Sequence, residues 1–259
     1  MLEKLDRAWR VIGTAISFAT FGVGGVILWL IYFPLLQLLV RDRARQTRLA
    51  RLTIHHSFRF FVGFMRFVGV LRYRIEGVEK LSRTGLLILA NHPTLIDVVF
   101  LISLIPNADC VVKASLARNP FTRGPVRATG YVSNDSGPGL VEDCIASLEA
   151  GNNLIIFPEG TRTRLNLPMQ LQRGAANIAV RGRCDITPVT IRCEPLGLNK
   201  EAAWWQVPPR PMNFTLQVGD DIPVAPMIAQ AGSEALAARQ VTSHLYDYFT
   251  REQHAHAAA

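Results

Sequence analysis

From Val11 to Val40 the chain carries no charged residue. As a helix this run would reach ~45 Å, longer than the ~30 Å hydrocarbon core of a bilayer. It is too long for a secretory signal peptide, and no small-residue cleavage site precedes the basic stretch that follows. Two arrangements satisfy it. One is a single tilted span; the other is a re-entrant hairpin that dips into one leaflet and breaks at Gly22, Gly24 and Gly25 or at Pro34. Arg41, Arg43, Arg45, Arg48 and Arg51 follow the run, opposed locally by Asp42. By the positive-inside tendency, the remainder of the chain then lies on the cytoplasmic side of the inner membrane. Lys4, Arg7 and Arg10 against Glu3 and Asp6 make the leading flank weakly basic too, which suits a hairpin with both ends inside.

Leu52 to Arg72 interleaves Phe58, Phe60, Phe61, Phe64, Met65 and Phe67 with Arg59, Arg66 and Arg72. Such a segment suits the headgroup plane, with rings in the acyl region and guanidiniums on phosphates. The alternative is a helix packed on the protein's own core; following a membrane segment directly, the interfacial reading is favoured. The formal net charge of +8 agrees with a basic surface facing nucleic acid, anionic lipid or an acidic carrier. Nucleic acid would need a basic helix or an aromatic-studded basic sheet, and the pattern holds neither, so lipid is favoured. Cys110, Cys144, Cys184 and Cys193 show no CxxC spacing and read as small side chains in a reducing compartment.

After Arg72 short apolar runs alternate with amphipathic stretches. Tyr73–Val78, Leu86–Ala90, Cys110–Lys113, Leu154–Phe157, Ile186–Cys193 and Phe214–Val218 read as strands. Thr94–Leu104, Pro138–Ala150, Arg173–Arg181 and Ala235–Arg251 read as helices, with Gly151 placed to end the second. The expected fold is α/β, a mixed, mostly parallel sheet flanked by helices, with an N-terminal membrane-embedded helical segment. In domains, 1–51 is the membrane anchor with its basic flank and 52–72 an amphipathic interfacial helix. Residues 73–253 form the globular domain, and 254–259, with His254 and His256, a frayed tail.

Two segments carry chemistry. The strand ending at Ala90 runs into Asn91-His92-Pro93-Thr94-Leu95-Ile96-Asp97. A histidine just past a strand end sits where α/β domains put their sites, and Asp97 can fold back towards its ring. A carboxylate on one ring nitrogen fixes the tautomer and raises the basicity of the other, as a general base requires. The strand ending at Phe157 runs into Pro158-Glu159-Gly160-Thr161-Arg162. Gly160 allows close backbone approach, Glu159 can accept from a hydroxyl, and Arg162 can grip a phosphate bidentately. No G-x-S-x-G is present, which argues against an α/β-hydrolase.

Together, N-H-x4-D followed by F-P-E-G-T-R resembles the signature of the lysophosphatidate and glycerol-phosphate acyltransferase family. Lys113, Asn119-Pro120-Phe121 and Gly124, then Gln172-Arg173-Gly174-Ala175 and Ile186-Thr187-Pro188-Val189, resemble its weaker blocks. The resemblance covers roughly Glu76 to Glu194. It implies that His92 takes the proton of an acceptor hydroxyl as this attacks a thioester carbonyl, with Asp97 orienting the ring and no covalent acyl-enzyme. It implies that Glu159, Gly160, Thr161 and Arg162, with Lys113 and Arg127, hold the acceptor, and that Pro188 shapes the acyl or donor side. It calls for membrane lipid and an acyl carrier protein or CoA thioester as co-substrate, with no cofactor, no metal and no nucleic acid.

One departure concerns the acceptor. In the family an arginine usually follows the glycine matching Gly130 by about six residues; here the stretch reads Gly130-Tyr131-Val132-Ser133-Asn134-Asp135-Ser136. Arg123 and Arg127, upstream, are the candidates to compensate. The gap leaves open an acceptor other than a lysophospholipid, such as an aminolipid, glycolipid or pigment lipid, as well as a catalytically silent lipid-binding protein.

Overall fold

The computed structural model describes residues 2–119, 122–134, 139–164 and 167–255. Pro120, Phe121, Asp135, Ser136, Pro138 and His256, all invoked above, lie outside them.

The uncharged run forms one continuous helical arm: α1 (Leu2–Ile27), a π-helical turn (Leu28–Tyr32) and α2 (Phe33–Leu39). Neither expected break occurs. Gly22 and Gly24 stay helical, and Pro34 falls in the first turn of α2, directly after the π-helical turn, without ending the arm. The chain reverses at Val40–Asp42 instead. There the Asp42 carboxylate accepts from the Arg45 N–H at 2.7 Å and opens α3 (Arg43–Phe67). α3 returns antiparallel to the arm, so that Trp9 Nε1 donates to the Val68 carbonyl and Thr53 Oγ1 to the Tyr32 hydroxyl. The expected boundary between residues 51 and 52 therefore falls inside a single helix. Its Ile54, Phe61, Val62 and Met65 are buried, while Phe60 and Phe67 are exposed. Both expected faces are thus present on one element. The stretch Leu5–Leu39 is long and apolar enough to cross a membrane, with a mean hydropathy of 2.0 in its best window.

Among the described residues the sheet has seven strands: β1 (Leu71–Glu76), β2 (Leu87–Ala90), β3 (Ala108–Val112), β4 (Val132–Ser133), β5 (Asn153–Ile156), β6 (Ile186–Glu194) and β7 (Met212–Val218). Their spatial order is β1-β7-β6-β2-β5-β3-β4. β6, β2, β5, β3 and β4 run parallel, while β7 is antiparallel to β6 and carries β1 in its own direction. The sheet is mixed and mostly parallel, as expected from the pattern. Every residue of β2 and β5 is buried, because helices cover both faces. Ile88 and Ala90 join the core under α3 and α4 (Asp97–Leu104), with Phe100 and Phe214. Leu87 and Leu89 join the opposite core, beneath α7 (Leu140–Glu149), α8 (Arg173–Arg181) and α10 (Glu234–Ala255).

α4 begins three residues later than expected, because Pro93 and Thr94 are held in a turn by Asp97. α10 continues to Ala255, so His254 is helical rather than part of a frayed tail. Four short elements carried too little pattern to be read in advance: α5 (Ala114–Arg118), α6 (Arg123–Thr129), α9 (Ala225–Gln230) and β4. A buried ion pair ties the arm's return helix to the sheet. Arg51 Nη2 lies 2.8 Å from Asp109 Oδ2, Arg51 Nε donates to the Thr129 carbonyl, and Ser147 Oγ donates to the same Asp109 oxygen.

Candidate active site

The carboxyl ends of β6, β2, β5 and β3 lie side by side at one edge of the sheet, where open α/β sheets bind ligands. His92 follows β2, the Phe157–Arg162 turn follows β5, and Lys113 follows β3 as the N-cap of α5. Asn91 fastens the end of β2 to its neighbour. Its amide donates to the Ile191 carbonyl at 2.8 Å, and its oxygen accepts from the Ile191 N–H at 2.7 Å.

His92 Nδ1 lies 2.9 Å from Asp97 Oδ2. A carboxylate only accepts, so Nδ1 carries the proton and Nε2 holds the free lone pair. Asp97 is fully buried and also accepts from the Thr94 N–H at 2.6 Å and the Thr94 hydroxyl at 2.5 Å. Burial pushes its carboxyl above the ordinary range, against the pull of His92 and Thr94. The imidazole is half-buried and stacks on the Phe157 ring, 4.2 Å between centroids. Its plane is thereby fixed by a second contact.

The two signature segments interlock through backbone. Glu159 Oε1 accepts from the His92 N–H at 2.9 Å and from Thr163 Oγ1 at 2.8 Å, while the Thr163 N–H donates to the His92 carbonyl at 2.7 Å. Glu159 is buried, and desolvation raises its carboxyl pKa. Its described contacts are therefore to the protein's own turn. Gly160 takes a left-handed φ of +66°, which turns the chain between Glu159 and Thr161. Arg162 Nη1 donates to the carbonyls of Leu198 and Asn199, at 3.1 and 2.5 Å. That use of the guanidinium was not legible in the sequence.

The remaining candidates divide. Gly160, Thr161 and Arg162 share the edge with His92. Arg127 instead lines a recess of about 50 Å³ with Phe33, Leu36, Arg43, Gln46 and Thr47, against the helical arm. Arg123 lies over the Trp29 ring at 4.3 Å. Both were expected beside the acceptor, but their helix α6 is packed on the arm, and that packing directs them there. Pro188 pairs in register with Leu89 inside the sheet, and a methyl group at Gly219 would come within 3.0 Å of its Cγ. Asn134 is engaged locally, its oxygen accepting from the Ala114 N–H at 3.0 Å. Among the described residues no group of His, Cys, Asp or Glu side chains is arranged to hold a metal. Four participants were missed: Asn91, Thr94 and Phe157, all within or beside the blocks, and Lys200, whose Nζ lies 2.8 Å from Thr161 Oγ1. Nothing in the local sequence around Lys200 signals that proximity.

At this edge the His–Asp pair is interlocked with the Pro-Glu-Gly turn. Residues 72–192 match the family model described as Acyltransferase. Several curated proteins that this chain resembles are named 1-acyl-sn-glycerol-3-phosphate acyltransferase. A Pseudomonas aeruginosa protein named 1-acyl-sn-glycerol-3-phosphate acyltransferase is 26% identical over 145 residues, 54% of this chain and 56% of the relative. A Helicobacter pylori protein of the same name is 26% identical over 132 residues, 48% of this chain and 56% of the relative. The match thus spans little more than half the length of these relatives. The crystal structure of the 1-acyl-sn-glycerophosphate acyltransferase PlsC from Thermotoga maritima has a similar fold. Its TM-score is 0.67 at 19% identity, covering 95% of this chain and 98% of that one.

Proposed function

We propose that the protein transfers an acyl group from a thioester, carried by CoA or acyl carrier protein, to the free hydroxyl of a lysophosphatidate-type acceptor at a membrane surface. The observation that carries this reading is the pairing of His92 Nδ1 with buried Asp97 beside the Phe157–Arg162 turn. Nε2 of His92 takes the hydroxyl proton as the acceptor oxygen bonds to the thioester carbon. The C–S bond then breaks, and the imidazolium returns its proton to the departing thiolate. The donor is already activated, so no covalent acyl-enzyme is required and no cofactor enters.

The names of the relatives favour a phosphate-bearing acceptor over an aminolipid, glycolipid or pigment lipid. The long apolar arm and its arginine-rich flank favour a membrane site, with the catalytic edge on the cytoplasmic side of the inner membrane. The test uses purified full-length protein, 1-acylglycerol 3-phosphate, and acyl-CoA or acyl carrier protein thioester, with phosphatidate formation as the readout. Turnover that disappears in a folded His92→Ala variant is expected. Undiminished turnover in that variant, or none by the unmodified protein with either donor, would sink the reading.

A further inference from the structure

The loop between β6 and β7 belongs to neither signature segment, yet it lies at the same edge because β6 runs parallel to β2. We propose that Lys200, on this loop, is a cation that receives the acceptor's phosphate, in place of the arginine absent at 134–136. The inference rests on the acyl-transfer reading and names a residue for its acceptor subsite.

Three observations carry it. The first is position: Lys200 Nζ donates to Thr161 Oγ1 at 2.8 Å, and Thr161 is flanked by Gly160 and Arg162. The second is that both segments hold the loop. The Leu95 N–H donates to the Leu198 carbonyl at 3.0 Å, and Arg162 donates to the carbonyls of Leu198 and Asn199. Leu198 is buried and sits at a φ of +54°, a conformation a leucine adopts only when its surroundings impose it. Asn199 braces the far side by accepting from the N–H groups of Glu201 and Ala202. The loop is therefore preorganised, and the lysine is delivered to one place.

The third observation is charge. No ion pair among the described residues involves Lys200, so its ammonium keeps two donors beyond Thr161. Arg162 spends Nη1 on backbone carbonyls, and Arg123 and Arg127 face the helical arm. A phosphate monoester approaching this edge carries close to two negative charges and needs more than one cation. Lys200 supplies one more, beside the remaining guanidinium nitrogens of Arg162.

The experiment compares full-length protein with Lys200→Met and Lys200→Arg on lysophosphatidate and on a neutral monoacylglycerol. Lys200→Met should raise KM for lysophosphatidate about tenfold or more, the loss of a charge-assisted hydrogen bond, with kcat changed by less than about twofold. KM for the neutral acceptor should hold, Lys200→Arg should recover most of the affinity, and glycerol 3-phosphate should inhibit Lys200→Met more weakly. An unchanged KM would overturn the proposal. So would an equal fall in kcat on both acceptors with a lower Tm, because Lys200 would then only fasten the loop to Thr161. Should the unmodified protein acylate neither acceptor, the acyl-transfer reading falls. Lysophosphatidate binding, followed by the fluorescence of Trp204 and Trp205 on the same loop, then decides Lys200 separately, and equal affinity in Lys200→Met would refute it.

Discussion

Asp97→Asn separates what the carboxylate does for the fold from what it does for the reaction. Oδ2 of Asp97 faces two donors, His92 Nδ1 and the Thr94 N–H, whereas Oδ1 faces the Thr94 hydroxyl. An asparagine can keep its oxygen at the first position and turn its amide towards Thr94 Oγ1, which rotates to accept. The tautomer of His92 then survives, and the change reduces to loss of one negative charge beside the imidazolium that forms during transfer. At ~4 Å and an effective dielectric of ~20, that charge is worth about 4 kcal/mol, or a fall in kcat of about 10³-fold. Folding should respond in the opposite sense. Burial disfavours the Asp97 carboxylate, so a neutral amide of the same shape relieves desolvation and the Tm should hold or rise. The assay is thiol release from acyl-CoA in the presence of lysophosphatidate, beside thermal unfolding of the same preparation. Activity within about tenfold of the unmodified protein would refute the charge argument. A collapsed Tm would refute the premise that asparagine satisfies the same hydrogen bonds.

His55 predicts an acid-sensitive fold. It is buried, Nδ1 donates to the Ile102 carbonyl at 2.8 Å, and burial, aided by the charges of His56 and Arg59, lowers its pKa below 6.5. The unfolded chain then binds more protons, so stability is present above the ordinary value and is lost as pH falls through the folded one. Tm should drop between about pH 7.5 and 5.5, and more gently in His55→Gln; parallel curves would count against the assignment. Arg51→Met should cost about 3–5 kcal/mol by leaving Asp109 buried without its cation, measured by denaturant unfolding, whereas a loss under about 1 kcal/mol would mean water reaches that carboxylate. Gly124→Ala would press a methyl group into the Trp29 side chain. The expected cost is about 1–3 kcal/mol, with the helical arm loosened towards protease; unchanged digestion of the arm would contradict that packing.

The fold was legible wherever one physical signal dominated. The strands buried on both faces, such as β2 and β5, were found because such burial demands unbroken apolar runs; β1 and β7 were found from short runs rich in β-branched and aromatic residues, and α8 was found to the residue because its amphipathic period is clean. The two-residue β4 and the short helices α5 and α6 exist because neighbours hold them, and their sequences carry little pattern of their own. At Pro34 the residue type misled. Proline need not end a helix, and here a π-helical turn stands directly before it while the arm continues on both sides. The site was legible for residues whose role lies within a few positions of the chain, His92 with Asp97 above all. It was not legible where side chains answer to distant backbone. Glu159 also holds the His92 N–H, and Arg162 also holds the Leu198 and Asn199 carbonyls through Nη1, contacts that no local pattern announces.

Those two uses explain why the segments work as one unit. A general base needs its ring fixed more tightly than a loop alone can manage, and Pro93 removes a backbone donor immediately after it. Glu159 and Thr163 supply the missing restraint, bonding the backbone of His92 from both sides, while Asp97 and Phe157 fix the ring. The turn that braces His92 thus also presents Thr161 and Arg162, so in the proposed reaction the base and the acceptor subsite share one rigid body. Burial makes Glu159 suited to that task, since a carboxylate in contact with solvent would exchange its backbone partners for water. A glutamine there would still accept at one oxygen, but its amide would have to face outward for the two donors to remain satisfied. The order of the two segments along adjacent parallel strands then follows from geometry. β2 and β5 are hydrogen-bonded neighbours in register, Leu89 with Ile156, so the loops after them meet without any long connection.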